Sequence, residues 1–236
     1  MKSVNPYMIP RDNMVLEQIA DRGVHDARVL EAMRRVPREA FVPQHLRDLA
    51  YADRPLPIGE GQTISQPYIV AAMTEALGLK GGEKVLEIGT GSGYAAAVLA
   101  HVAGEVHTIE RIARLANQAR ATLGRLGYDK VHVIEGDGTI GWSSAAPYDA
   151  IVVTAEGPRI PPSLRSQLKT GGRLVMPLTD DEREQFLVRL TAEAGGRVEK
   201  LYPVRFVPLI GSEGWSPAEC SPIEPAHWEE TALKAG

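Results

Sequence analysis

From residue 84 onward, short runs rich in β-branched residues alternate with stretches of helical periodicity. This alternation is typical of βαβ units, in which parallel strands form one sheet and helices cover both of its faces. It predicts an α/β fold with a doubly wound, mostly parallel sheet. Strands are predicted at 84–88, 105–110, 131–135, 149–154 and 173–177, and helices at 94–102, 112–126 and 161–168.

The residues before this pattern have a different character, because prolines and glycines interrupt their helical periodicity. They predict a chain of short amphipathic helices, followed by a loop and then by a helix that begins at Pro67. The predicted helices are 12–23, 26–37 and a short stretch that ends near 51, and the predicted loop is 54–67.

After the alternating region, residues 186–191 and 198–209 predict an antiparallel pair around Gly195 and Gly196, which closes one edge of the sheet. The sequence from 212 is rich in proline and weakly patterned. The chain therefore divides into an N-terminal helical region (1–80), an α/β core (81–211) and a C-terminal tail (212–236).

Charge and cysteine content limit the partners and the location. Lys and Arg number 26 against 30 Asp and Glu, a net charge of −4, which gives no basic surface suited to nucleic acid or to an anionic membrane. The single cysteine, Cys220, excludes an intramolecular disulfide framework. No segment has the length and apolarity of a signal peptide or a membrane span, so we expect a cytoplasmic protein.

A buried strand runs into a glycine-rich turn at VLEIGTGSGY (85–94). Gly89, Gly91 and Gly93 allow a sharp turn and let the backbone approach a ligand closely. Tyr94 stands where a dinucleotide fingerprint needs Gly or Ala, and the turn lacks the Gly-Lys-Ser/Thr of a phosphate loop. The turn therefore predicts a nucleoside site that does not bind pyrophosphate, although a purely structural βα turn remains the simpler alternative.

Three carboxylates are expected at the same edge of the sheet. Glu110 ends the next strand, 21 residues after Gly89, where it can accept both ribose hydroxyl protons of a nucleoside. Asp137 follows the third strand and suits an adenine amino group. Glu87 precedes the turn and either pairs with a ligand ammonium or accepts N–H bonds from the turn. Acidic groups, with no Lys or Arg in the turn, predict a cationic nucleoside without phosphate, namely S-adenosylmethionine.

Further segments carry a resemblance to a known family. The most specific is LPIGEGQTISQP (56–67), supported by RVLEAMRRVP (28–37), FVP (41–43), GGRLVMP (171–177) and RFVPL (205–209). Together with the glycine turn, they make residues 14–211 resemble protein-L-isoaspartate (D-aspartate) O-methyltransferases, which are class I S-adenosylmethionine-dependent enzymes. The resemblance implies a Rossmann-like methyltransferase fold, with a sheet of the seven-stranded type and an N-terminal helical extension.

The resemblance also implies the reaction. A methyl group passes from S-adenosylmethionine to the α-carboxylate of L-isoaspartyl or D-aspartyl residues in damaged proteins and peptides. The resulting ester collapses to a succinimide, and hydrolysis of that ring restores some normal aspartate. Because an ionised carboxylate is already nucleophilic at neutral pH, the enzyme needs alignment and exclusion of water rather than a general base.

Site residues follow from the same resemblance. Ser65 is implied to be the active-site serine, which orients the substrate carboxylate, although capping of the helix that begins at Pro67 is the structural alternative. The segment that covers cofactor and substrate includes Gln62, Thr63 and Ile64. The residues implied to bind the cofactor are Gly89, Thr90, Gly91, Ser92 and Gly93 for its methionine part, Glu110 for its ribose, and Asp137 with Gly138 for its adenine. Glu87 stays a cofactor-binding candidate on its position before the turn alone.

Two departures from the family pattern leave the substrate open. The chain has Thr154-Ala155-Glu156 where Thr-Ala-Ala is usual, and Glu156 is expected to place a charge near the substrate. Glu156 and the run after Gly211, which extends beyond the family pattern, together motivate the alternative of a small-molecule carboxyl or O-methyltransferase on the same scaffold. A cofactor-binding adaptor without turnover is the alternative from another class.

No metal site is predicted. The chain has six histidines, and none shows ligand spacing such as His-x-x-x-His, so each is expected to be a surface or strand residue. They are His25, His45, His101, His107, His132 and His227.

Overall fold

The computed structural model describes residues 5–180, 182–193 and 196–219. It contains a seven-stranded sheet and a separate two-stranded hairpin. The hairpin consists of β1 (Leu56–Gly59) and β2 (Gln62–Ile64). The sheet consists of β3 (Lys84–Ile88), β4 (Glu105–Glu110), β5 (Val131–Glu135), β6 (Tyr148–Val153), β7 (Leu168–Thr179), β8 (Gln185–Thr191) and β9 (Arg197–Pro203).

Six α-helices accompany these strands in the described part of the chain. They are α1 (Met8–Asn13), α2 (Ala27–Arg35), α3 (Pro67–Ala76), α4 (Tyr94–Val102), α5 (Ala113–Arg125) and α6 (Pro162–Ser166). A π-helical turn (Met14–Ile19) follows α1, and 3-10 turns cover Ala20–Arg22, Arg38–Ala40, Gln44–Leu49, Gly138–Ile140 and Ser143–Ala145. None of the helices in the described segments has the length and apolarity needed to cross a membrane.

The strand order explains where a site can form. The order across the sheet is β5-β4-β3-β6-β7-β8-β9. The first five strands pair in parallel, whereas the pairs β7–β8 and β8–β9 are antiparallel. The chain runs outward from β3 to β5 and then returns to the other side of β3. This reversal is a topological switch point, where the loops at the carboxyl ends of adjacent strands separate and leave a crevice.

Apolar residues on both faces of the sheet confirm the doubly wound arrangement. One cluster contains Val85 and Val152 together with residues of α2, α3 and α4. The other contains Leu86 and Ile151 together with Leu164 of α6. Neighbouring residues of β3 thus enter different clusters, as expected for a strand with period two that is covered on both sides.

Most predicted elements are confirmed, four of them with the predicted bounds: the strands 84–88, 105–110 and 131–135 and the helix 94–102. The strand predicted at 173–177 is longer, because β7 already begins at Leu168 and pairs with β6 there. The antiparallel pair is also confirmed, but its second strand ends at Pro203 rather than 209. Gly195, predicted in its turn, lies outside the described residues, as do Cys220 and the rest of the tail.

Two N-terminal predictions are wrong in part. The loop at 54–67 contains the hairpin β1–β2, in which Leu56 pairs with Ile64. Its turn holds Glu60 (φ 53°) and Gly61 (φ 67°) with positive φ, so the glycine read as a loop signal is a hairpin turn residue. The helix at 12–23 is instead three short pieces that begin at Met8, and Gly23 (φ 97°) terminates them.

Candidate active site

A cavity of about 320 Å³ opens at the carboxyl edge of the sheet, beside the switch point. Its walls come mainly from four segments: 61–65 at the hairpin, 88–92 with 94–95 at the end of β3 and beyond, 109–112 at the end of β4, and 207–210. Predicted site residues in this lining are Gln62, Thr63, Ile64, Ser65, Gly89, Thr90, Gly91, Ser92, Glu110 and Gly138. The structure therefore brings together the hairpin and the glycine turn, which are distant in sequence.

Two glycines of the turn are required by its geometry. Gly89 has φ 94°, and a Cβ at this position would lie 2.4 Å from Thr154 Oγ1. The Thr154 hydroxyl donates to the carbonyl oxygens of Ile88 (3.0 Å) and Gly89 (2.8 Å), which fixes the start of the turn. Gly93 (φ 88°) is the N-cap of α4 and does not line the cavity. Both positions have a left-handed backbone conformation that favours glycine, and this conformation shapes the turn beside the cavity.

Glu110 lies at the junction between the turn and the cavity. Its Oε2 accepts the Gly91 N–H at 2.8 Å, and its Oε1 accepts the Ile112 N–H at 2.9 Å. The residue is only 7% exposed and lines the cavity. Each carboxylate oxygen has two lone pairs, so the side chain can fix the turn and still accept protons from ligand hydroxyls.

Asp137 and Gly138 have different places in the structure, although both were expected at the adenine. Gly138 lines the cavity, but the Asp137 carboxylate accepts hydrogen bonds from Thr139 and from the backbone and hydroxyl of Ser212, at 2.6–2.9 Å. Partial burial raises the pKa of Asp137, but these hydrogen bonds outweigh it and hold the pKa below its usual range. Its side chain therefore anchors the segment after 210. It does not line the cavity, although contact with adenine would require this.

Glu87 is fully buried and does not line the cavity. Glu87 was expected to contact either a ligand ammonium or the N–H groups of the turn. Instead, its Oε2 accepts a hydrogen bond from the Thr108 hydroxyl at 2.5 Å. Thr108 Oγ1 lies 2.6 Å from Thr90 Oγ1, so a chain of three side chains links the strand interior to the turn. Burial raises the pKa of Glu87 to about 8, so the group is protonated at neutral pH.

The buried carboxyl gives a prediction for stability. Between the unfolded pKa near 4.5 and the folded pKa near 8, the folded state binds the extra proton, so the free energy of unfolding falls as pH rises. From pH 6 to pH 8.5 we expect a loss of roughly 2 kcal/mol in the native chain, absent in Glu87→Gln. Urea unfolding of both proteins at both pH values measures it, and parallel losses would contradict the assignment.

Ser65 lies where two cavities meet. It lines the first cavity and also a second one of about 630 Å³, formed by the hairpin, the start of α3 and the segment 202–207. Thr63, Thr154 and Val207 are shared in the same way. The N-cap of α3 is Gln66, with no side-chain cap bond, so the capping alternative for Ser65 is not supported.

Sequence reasoning missed the residue that holds Ser65. Arg38 is fully buried, and its Nη2 donates to the Ser65 carbonyl at 2.8 Å, while its Nε donates to the Ala50 carbonyl at 2.7 Å. Its guanidinium lies over the Tyr94 ring, 4.8 Å from the centroid. Burial lowers the pKa of Arg38. No local pattern marks it, because both its partners are at least 12 residues away.

The expectation for Glu156 is wrong. Its side chain is 7% exposed and lines neither cavity, and its carboxylate accepts the Thr179 hydroxyl of β7. Its backbone also pairs with Val207 and Leu209. The carboxylate is therefore directed into the structure, and Glu156 gives no support to a small-molecule substrate.

Comparisons with known proteins agree with this geometry. The family model described as Protein-L-isoaspartate(D-aspartate) O-methyltransferase matches residues 10–214. "Protein-L-isoaspartate O-methyltransferase 1" of Rhodopseudomonas palustris strain HaA2 is 63% identical over 89% of this chain and 86% of its own length. A Pelobacter propionicus relative named "Protein-L-isoaspartate O-methyltransferase 2" is 58% identical over 87% of this chain and 92% of its own.

Two solved structures are also similar. One is a protein-L-isoaspartate O-methyltransferase with a TM-score of 0.79 and 30% identity, covering 86% of this chain and 67% of its own. The other is a Plasmodium falciparum protein in complex with S-adenosyl-L-homocysteine, with a TM-score of 0.72 and 25% identity, covering 85% of this chain and 98% of its own. The chain belongs to the protein-L-isoaspartate(D-aspartate) O-methyltransferase family.

Proposed function

We propose that the chain transfers a methyl group from S-adenosylmethionine to the α-carboxylate of L-isoaspartyl and D-aspartyl residues in damaged proteins and peptides, which starts repair through a succinimide. The observation that carries this proposal is the meeting of two cavities at Ser65. One cavity has the size and polar groups for a nucleoside, and the other provides room for a peptide. Methyl transfer between two ligands needs such a junction, because their reacting atoms must be held in line and close together.

The first cavity fits the cofactor. Its volume of about 320 Å³ is within the range of small-ligand sites. The backbone of the turn 89–93 would hold the methionine part of the cofactor. Glu110 would accept hydrogen bonds from the ribose hydroxyls, and the backbone at Gly138 would border the adenine. When bound, S-adenosylmethionine supplies an activated methyl group on a positively charged sulfur. Glu110 brings a carboxylate close to that positive charge, which favours a cationic ligand.

The hydroxyl of Ser65 acts as a donor that orients the substrate carboxylate. The carboxylate is ionised at neutral pH and needs no base, so the serine has no proton to remove. Gln62, Thr63 and Ile64 close the hairpin side of the first cavity and reduce its contact with water. In this proposal the residues up to 80 supply the substrate segment, and 81–211 supply the cofactor core.

The second cavity suits an extended peptide. Its lining includes Tyr68, Tyr202 and Phe206, which offer apolar surface, and Arg205 at its rim. None of these groups selects one particular side chain, which is in keeping with substrates that share a damaged backbone rather than a sequence. A cytoplasmic location is also part of the proposal, since a single cysteine is suited to a reducing compartment.

The deciding experiment compares two synthetic peptides that differ only in one isoaspartyl or aspartyl residue. With labelled S-adenosylmethionine, we expect base-labile methyl ester on the isoaspartyl peptide and none above background on its partner. A scrambled-sequence isoaspartyl peptide should be labelled as well, because the backbone is recognised. Equal labelling of both peptides, or of neither while cofactor binding is intact, would overturn the proposal.

A further inference from the structure

A cluster of three side chains lies at the opposite end of the sheet from the cavity. Glu105, His107 and His132 each offer a ligand atom, and these atoms lie within 4.8 Å of one another. Glu105 begins β4, whose other end is Glu110 at the cavity. Five residues of strand separate the two positions by roughly 16 Å. The cluster is therefore independent of the site for methyl transfer.

Strand geometry places the three residues together. Glu105 and His107 are two residues apart in β4, so their side chains share one face of the sheet. His132 of β5 is the direct register partner of His107. The two imidazole rings are 4.9 Å apart between centroids. The histidines are 25 residues apart in sequence, which is why their spacing alone gives no sign of a shared site.

The distances suit a tetrahedral ion. Glu105 Oε1 lies 3.2 Å from His132 Nε2 and 3.8 Å from His107 Nε2. Two ligands about 2.1 Å from a tetrahedral ion lie roughly 3.4 Å from each other. The side chain of His107 is held on its other side by an edge contact with the Tyr148 ring, 5.9 Å between centroids. Those of His132 and Glu105 are half exposed, so they can adjust by the small distance required.

Two basic side chains, His132 and Lys84, act on His107 electrostatically. Lys84 is the one that does not belong to the cluster. Its ammonium donates to the Ala145 carbonyl at 2.7 Å, so a backbone oxygen rather than a ligand atom holds its position. The carboxylate of Glu105 offsets the charge of a bound cation at the site itself. Each neutral imidazole can donate its Nε2 lone pair, and Glu105 a lone pair of its Oε1, to one ion that lies between them.

We propose that Glu105, His107 and His132 form a binding site for one borderline divalent transition metal ion, of which Zn²⁺ is the test case. Two imidazoles and one carboxylate are a donor set that zinc accepts, and the partial exposure of the cluster leaves a fourth position for water. The ion joins β4 to β5, the edge strand on this side of the sheet. The bound ion stabilises the folded chain and leaves methyl transfer unchanged. This proposal departs from the sequence-based expectation that the chain has no metal site.

The test is calorimetric titration of Zn²⁺ into the chelator-treated full chain. We expect one ion per chain, and a rise in Tm of roughly 5 °C when free zinc exceeds Kd about a hundredfold. His132→Ala and Glu105→Gln should each lower the affinity at least about tenfold, since even outer-sphere losses cost that much. Both positions are partly exposed, so the variants should fold.

His45→Ala is the matched control, because this exposed histidine lies outside the cluster. Co²⁺ gives a second readout, since its visible d–d bands at a site with nitrogen ligands should disappear in His132→Ala and persist in His45→Ala. Zinc binding that is equal in all variants would show that the ion binds elsewhere and would overturn the proposal. Absence of both heat and a Tm shift in the native chain would overturn it as well.

Discussion

Replacing Glu110 with alanine is expected to weaken the binding of S-adenosyl-L-homocysteine by roughly 10- to 150-fold, or about 1.4–3 kcal/mol. In the proposed binding mode, the ribose hydroxyls lose their hydrogen-bond acceptor in a site that is shielded from water. In addition, the N–H groups of Gly91 and Ile112 lose the carboxylate that holds them at 2.8 and 2.9 Å. The first loss removes a ligand contact, and the second loosens the turn that the ligand must contact. Calorimetric titration measures the sum.

Glu135→Ala is the matched control for this prediction. Glu135 is the register partner of Glu110 on the neighbouring strand, and it also ends its strand. It is exposed and does not line the cavity. The same substitution should therefore leave the affinity within about twofold, because only a distant and screened charge is removed. Equal losses in the two variants would mean that general charge, rather than contact with the ligand, determines binding.

The side of the cavity that the glycine turn forms could be predicted because its signals are local. A strand, a glycine turn and a helix are contiguous in sequence, and their order alone fixes where the turn faces. The place of Glu110 in the cavity wall could be predicted for a similar reason, because the carboxyl ends of adjacent parallel strands lie at one edge of the sheet. The structure adds that Glu110 also binds the turn through the Gly91 N–H.

The partners of carboxylates could not be predicted in the same way. Glu87 and Asp137 were both expected to contact the ligand, yet one is bonded to Thr108 and the other to Ser212, 75 residues away. Glu156 is held by Thr179 on another strand. A sequence shows that a carboxylate is near a turn, but the packing of distant segments decides which way it points and therefore whether it can meet a ligand.

The substrate side depends on packing even more strongly. The hairpin was hidden by the prolines and glycines that usually mark loops, and its register appears only when Leu56 and Ile64 enter the core together. Arg38 carries no recognisable motif, although the backbone of Ser65 depends on it. Its importance follows from burial, because a buried guanidinium must find acceptors and thereby fixes them.

The last prediction concerns Arg38 and Ser65. Ser65→Ala should lower turnover by roughly 10- to 100-fold with little change in cofactor affinity, since a hydrogen bond to a charged group contributes about 1.5–3 kcal/mol. Arg38→Met should also lower turnover, by about tenfold, because the Ser65 carbonyl loses its donor and the hydroxyl loses its fixed position. It should destabilise the fold by about 1–3 kcal/mol, because the buried carbonyls of Ala50 and Ser65 are left without their donor.

A double-mutant cycle separates positioning from general damage. If Arg38 acts through the Ser65 hydroxyl, Arg38→Met should cost turnover in the native chain and almost none in Ser65→Ala, a coupling of about 1 kcal/mol or more. Arg173→Met is the matched control, because Arg173 also binds two carbonyl oxygens, those of Leu77 and Gly78 at 2.9 and 3.1 Å, but does not touch Ser65. It should reduce stability and spare turnover. Additive losses in the cycle, or an equal loss of turnover in Arg173→Met, would show that Arg38 serves the fold and not the position of the serine.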